Sequence, residues 1–253
     1  MNKYMKLVAY LIQLIVLTSI FGGMGYIVAR YLFNYTDEHV ILLIFKGFEF
    51  LGIIIFAFLN KRIALVCIKN LRLNKKQLVL FLKYFFLSFL SLVAIVTFSK
   101  YLHIIRLRGI IELSYLKIAL YFTLALAVAI CEEIMFRGFI ALYVNFRINK
   151  KTAIFLSSII FALVHVQYDG FLPFVTALLA GIIFALLTFK YRSLFPSIAF
   201  HMGWNFSYFL FEHYFSVEMN IKFLGEIFEI PQIVLLSFIV IYLYPLYQPR
   251  LVR

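Results

Sequence analysis

Residues 118–143 read IALYFTLALAVAICEEIMFRGFIALY. As a helix this stretch is about 39 Å long at about 1.5 Å per residue, more than the roughly 30 Å hydrocarbon core of a bilayer. It is apolar except around Glu132, Glu133 and Arg137. A charge near a helix centre costs at least about 2.5–3.5 kcal/mol on insertion scales, so residues of this kind face a partner or a cavity. Glu133 and Arg137 are four apart with the acid first, the favourable order for a helical ion pair. Adjacent helix residues point about 100° apart, so Glu132 is left to face a different neighbour. A lone carboxylate in a dry site is either protonated or engaged by a polar partner.

The rest of the chain agrees with a membrane setting. Of 253 residues, 65% are hydrophobic, 19% aromatic and only 14% charged, with mean hydropathy +1.01. An ordinary globular domain has about 45–50% apolar residues and keeps much of its chain in water. This excludes an ordinary soluble enzyme, a disordered chain and a collagen-like one. The apolar runs are continuous and do not alternate, so a barrel is excluded as well. The expected fold is all-α: a polytopic membrane bundle of about eight transmembrane helices. The candidate spans are 7–29, 40–59, 78–99, 118–143, 152–167, 171–189, 195–211 and 231–248. No repeat or long soluble loop interrupts them, so residues 1–253 read as one transmembrane domain. The first span follows Lys3 and Lys6 and reads as uncleaved. Its run is long, and Gly22-Gly23-Met24-Gly25 lacks an A-x-A-like cleavage site and reads as a helix-packing surface. Cys67 in a basic loop and Cys131 in an apolar helix are not expected to form a disulfide.

The formal charge is +13, from 24 Lys and Arg against 11 Asp and Glu. With eight spans and both termini on one side, fifteen basic residues fall on the side of the termini and six on the other, while Lys46, Lys83 and Arg137 lie within spans. The basic excess marks the cytoplasmic side. The expectation is a multi-pass cell-membrane protein with cytoplasmic N- and C-termini. The lipid bilayer is the partner that the charge implies, and nucleic acid is not expected. Lys46 and Glu49 are three apart and read as a local ion pair near the outer interface. Lys83 can snorkel to the inner face.

Two later spans carry candidate partners for Glu132. Span five has Phe161-Ala162-Leu163-Val164-His165, with a ring and an imidazole one turn apart. Span seven has His201-Met202-Gly203-Trp204-Asn205, with an imidazole and an amide one turn apart. Polar groups this deep are most cheaply satisfied around a shared cavity. H-E-x-x-H and G-x-S-x-G are both absent. One carboxylate, two imidazoles and an amide suit water activation at a carbonyl. Glu132 would take the proton with His165 orienting the water, and His201 and Asn205 would donate to the oxyanion. Glu132, His165 and His201 are equally a set that could hold catalytic zinc. With straight helices over these boundaries, the three residues lie at different depths, so a break, a tilt or shifted helix ends must bring them together.

The three segments resemble the motifs EExxxR, FxxxH and HxxxN/D of the CPBP intramembrane protease family, also called the Abi or CAAX-protease-like family. They occur in order over residues 132–205. The resemblance implies a glutamic-type intramembrane endopeptidase with a CAAX-endopeptidase-like bundle. By resemblance, the catalytic residues are Glu132, His165, His201 and Asn205, while Glu133, Arg137 and Phe161 support the site. Zinc has been invoked for the family too, so no cofactor is firmly implied. If a metal is present, Glu132, His165 and His201 would hold it. The implied partner is a peptide or membrane-protein substrate, in bacteriocin or signal-peptide maturation or in self-immunity. Two other readings stay open: a non-catalytic immunity or scaffold protein of the same fold, and a transporter with an intramembrane charged path. A transporter would be expected to show an inverted repeat, and none is seen.

Overall fold

The computed structural model of the protein describes residues 3–103, 105–110, 114–165, 170–218 and 222–247. Positions 166–167 of the fifth candidate span, position 248 of the eighth, and Glu112, Asp169, Arg250 and Arg253 lie outside the described residues. The helices are α1 (Lys3–Ile27), α2 (Glu38–Leu59), α3 (Lys61–Asn70), α4 (Lys75–Tyr101), α5 (Tyr115–Glu133), α6 (Leu142–Arg147), α7 (Lys150–Val164), α8 (Phe171–Tyr191), α9 (Phe195–Tyr214) and α10 (Lys222–Tyr247). Two π-helical stretches, Val28–Leu32 and Ile134–Ala141, extend α1 and join α5 to α6. Short polar side chains set several starts. Asp37 accepts from the backbone of His39 and Val40, Asn74 from Gln77 and Asn149 from Thr152, satisfying N–H groups that the first turn leaves over.

Five stretches are long and apolar enough to cross a membrane: Tyr4–Leu32, Glu38–Leu59, Lys75–Tyr101, Tyr115–Arg147 and Phe171–Tyr191. The expected eight is therefore met at five by length and apolarity among the described residues. The fifth candidate span corresponds to α7, whose 15 residues rise only about 22 Å. The seventh corresponds to α9, a helix diluted by His201, Asn205, Ser197 and Ser207. A second difference, and the one that departs from all-α, is a small antiparallel ladder. Strand β1 (Arg106–Ile110) pairs with β2 (Phe215–Glu218), in register Arg106 to Glu218, with an irregularity between Arg108 and Ile110. A third is α3, which folds where a basic loop was expected. Its Ile63, Ala64 and Cys67 are buried while Lys61, Arg62 and Lys69 face out.

The bundle inverts the pattern of a water-soluble globule. Ile12, Ile20, Phe58, Leu90 and Phe238 are exposed, whereas Glu133 and Arg137 are completely buried. This is the arrangement a lipid solvent favours, with polar groups turned to one another and apolar ones turned out. Helix α1 packs along α2, α4 along α9, and α10 along α8. The glycines of α1 serve as expected in part: a Cβ on Gly22 would strike the Phe45 ring and one on Gly25 the Phe48 side chain, while Gly23 faces open space. On α9, a Cβ on Gly203 would collide with Ser88 and the Phe85 carbonyl of α4, so this glycine lets the two backbones close up beside His201. Cys67 and Cys131 are both buried free thiols.

The depth mismatch is resolved at the ends of α5 and α9. Helix α9 starts inside the protein, with Ser193, Leu194, Ser197, Ile198 and Ala199 all buried. The backbone N–H of Leu194 donates to the Asn70 carbonyl at the end of α3, and Gly138 faces Cys67 and Leu194. So α9 begins near the level of Gly138, not at the rim of the bundle. From that level Glu132 is six residues away along its own helix and His201 seven along α9, about 9–10 Å in each case.

Candidate active site

The last residues of α5 and the π-helical turn after it form the floor of the site. Glu133 and Arg137 pair through Arg137 Nη1 and Glu133 Oε1 at 2.9 Å, both side chains fully buried. Arg137 Nη2 donates to the Gly181 carbonyl of α8 at 3.1 Å. The guanidinium carbon lies 4.5 Å from the Phe161 ring centre and 4.8 Å from that of Phe184, so aromatic faces take over part of the role of water. Phe161 therefore supports the site through its ring. Its carbonyl has a separate task, accepting from His165 Nδ1 at 2.7 Å.

Glu133 Oε1 also meets His201 Nδ1 at 3.0 Å, and the His201 ring stacks on Phe184 at 4.8 Å with 12° between planes. Both imidazoles are thus held through Nδ1, His165 by a carbonyl at the end of α7 and His201 by a carboxylate of α5. A carbonyl oxygen can only accept, so Nδ1 of His165 carries the proton and Nε2 is the acceptor nitrogen of the neutral ring. The Nε2 atoms of His165 and His201 converge on one oxygen, each 3.8 Å from Glu132 Oε2. That oxygen is buried and accepts no hydrogen bond from the described residues.

The other oxygen of Glu132 is engaged by Lys46. Its Nζ lies 3.0 Å from Glu132 Oε1 and 2.9 Å from Glu49 Oε2, and Lys46 and Glu49 are both buried. The pair expected from spacing alone is present, but it is interior and its cation is shared with a helix 86 residues away. Cys131 Sγ donates to the Lys46 carbonyl at 3.4 Å, tying α2 and α5 together beside this contact. Spacing signalled Lys46 only as a partner of Glu49. The clue to its wider role was its depth in an apolar span.

Of the expected site residues, Glu132, Glu133, Arg137, Phe161, His165 and His201 meet in one cluster. Asn205 is half-buried one turn beyond His201 on α9. Zinc would have to be held by Glu132, His165 and His201, with the two imidazole Nε2 atoms each 3.8 Å from Glu132 Oε2. Among the described residues no group of three or more His, Cys, Asp or Glu is disposed to hold a metal ion. Glu132 already neighbours a protein cation.

No curated protein and no solved structure matches the chain. A family model does, described as Rce1-like: Type II CAAX prenyl endopeptidase Rce1-like, over residues 114–207. The matched stretch runs from the residue that caps α5, through the π-helical turn and α7, to α9, and so contains every member of the cluster except Lys46 and Glu49. Over residues 114–207 the chain is therefore similar to the CPBP/CAAX protease family, a family of membrane endopeptidases.

Proposed function

We propose that the protein is a glutamic-type intramembrane endopeptidase that cleaves a peptide or a membrane-anchored precursor. The observation that carries this reading is the convergence of His165 Nε2 and His201 Nε2 on Glu132 Oε2. A water molecule held among these atoms would donate one hydrogen to Glu132 Oε2 and be oriented by His165. As its oxygen attacks the scissile carbonyl, the proton passes to Glu132 and later to the leaving amine. Lys46 is a positioning residue here: by holding Oε1 it leaves Oε2 as the reacting oxygen.

His201 Nδ1 already faces Glu133; with a proton on its other nitrogen, Nε2 becomes a donor for the developing oxyanion. Asn205, one turn along the same helix, would supply the second donor from its amide. The protein would be a multi-pass protein of the cell membrane with both termini cytoplasmic. Its work would be maturation of a bacteriocin or signal-peptide-like precursor, or self-immunity.

The test requires no known substrate. Membranes from cells expressing the wild type and Glu132→Gln are compared by profiling newly created peptide termini. The expected result is a set of termini present with the wild type and missing with the variant, at equal protein levels. Identical termini in the two membranes would refute the proposal.

A further inference from the structure

Far from Glu132, at the basic end of the bundle, a cavity of about 410 Å³ opens between four helices. Lys69 and Asn70 enter it from α3, Asn145 from α6, Lys150 from the first turn of α7, and Thr188 and Arg192 from the end of α8. Among the described residues its lining holds three cations and no acid. Lys150 is partly withdrawn from water, with its ammonium 5.5 Å from the Phe189 ring centre. That burial, together with the Arg192 guanidinium nearby, lowers its proton affinity below the ordinary lysine range. Cations gathered around one cavity repel each other, and an anion placed among them removes that cost.

Basic residues at this end are expected on general grounds, since inner loops collect Lys and Arg. Loop charges, however, spread out in water. Here they arrive from separate helices onto one concavity whose amide side chains can hydrogen-bond an anion's oxygens. The same lining includes Leu142 and Phe189, both half-buried, and Phe146 directly after Asn145 is 74% exposed, so apolar side chains accompany the basic ones. A ligand with a phosphate head and hydrocarbon tails suits both features, whereas free phosphate uses only the first. We propose that this cavity is a phosphate-anion site that seats the headgroup of an anionic lipid at the inner membrane surface. Basic pockets between membrane helices on that side recognise such headgroups. The proposal does not depend on the reading of the Glu132 site.

The full-length protein, purified in detergent, is examined by native mass spectrometry with phosphatidylglycerol or phosphatidylcholine, and by thermal unfolding with either lipid or with inorganic phosphate. The wild type should hold phosphatidylglycerol in preference to phosphatidylcholine. Lys69→Gln with Lys150→Gln should weaken phosphatidylglycerol binding about 25-fold, at about fivefold per basic residue near the surface. Lys75→Gln with Lys76→Gln removes the same charge from positions outside the cavity and should weaken binding far less. Should the cavity pair fail to fold, Arg192→Asn takes its place, because Asn accepts the left-handed backbone found there (φ 50°). An equal loss with the control pair would reduce the effect to general charge attraction and overturn the site. No preference over phosphatidylcholine would overturn it too. Stabilisation by inorganic phosphate equal to that by phosphatidylglycerol would give the site to free phosphate and overturn the lipid assignment.

Discussion

Glu132 and Glu133 are neighbours in sequence and opposites in surroundings. Glu133 works through one oxygen: the Arg137 guanidinium and His201 Nδ1 share its Oε1, with Phe161 and Phe184 around the arginine, while its Oε2 is buried and faces no hydrogen-bond partner among the described residues. Glu132 divides its two oxygens, one to Lys46 and one toward two imidazole nitrogens at 3.8 Å. The difference comes from the 100° step between consecutive helix residues, which turns one acid toward α8 and α9 and the other toward α2 and α7. One membrane helix can thus place a structural carboxylate and a reactive one side by side.

The largest effects should separate the two acids by kind. Glu132→Gln preserves shape and should cost about 10²–10⁴-fold in cleavage, the range of a lost general base, with little change in the unfolding midpoint. Glu133→Ala should do the reverse first. It strands a buried guanidinium, and breaking such a pair costs about 3–5 kcal/mol, so folded protein itself should be lost. Thermal unfolding of both variants in one detergent decides the matter. A stable Glu133→Ala protein would erase the distinction drawn here.

Lys46→Met should fall between these. It leaves Glu132 and Glu49 without their shared cation; carboxylates, unlike a guanidinium, can take up protons, so the loss should stay below the about 3–5 kcal/mol of a broken buried pair. Cleavage should drop with it, and Lys46→Arg should restore part of the activity if the need is for a cation at Oε1. Equal activity in Lys46→Met and the wild type would remove the positioning role. Phe161→Leu should have a smaller effect still. It removes the ring over Arg137, worth about 0.5–2 kcal/mol, but keeps the carbonyl that holds His165. Stability should therefore fall more than catalysis does, and a loss of cleavage as deep as that of Glu132→Gln would show that the ring serves the reactive side as well.

What could be read in advance follows from the range of the forces. The Glu133–Arg137 pair and the Phe161–His165 contact are separated by one helical turn, and spacing within a helix reveals such contacts. Lys46 reaches Glu132 across 86 positions, and no periodicity encodes which faces of α2 and α5 meet. The local Lys46–Glu49 spacing even offered a complete explanation that stopped short of the site. Helix α9 starts at residue 195, as hydropathy predicts, but the depth of that start was not legible, for a related reason. Apolarity marks what lies in lipid, but the start of α9 is buried by protein, under α3, and hydropathy does not distinguish the two. The strands β1 and β2 are short and joined by register between distant loops, which composition does not reveal.

The last test concerns the cation that serves Glu132. If Lys46 fills that need, treatment of active membranes with a strong zinc chelator should leave cleavage unchanged, the smallest effect of all. The argument rests on placement: the ammonium lies 3.0 Å from Oε1, and each imidazole is fixed through Nδ1 by a protein acceptor. Such Nδ1 contacts also orient histidines that bind metals, so the arrangement of the rings alone does not decide between the two chemistries. Chelation does, when paired with Lys46→Met. With a protein cation in charge, the chelator does nothing to the wild type and the substitution weakens it. With a metal in charge, the chelator abolishes cleavage, added zinc restores it, and the contrast between Glu132 and Glu133 becomes one between a metal ligand and a structural acid.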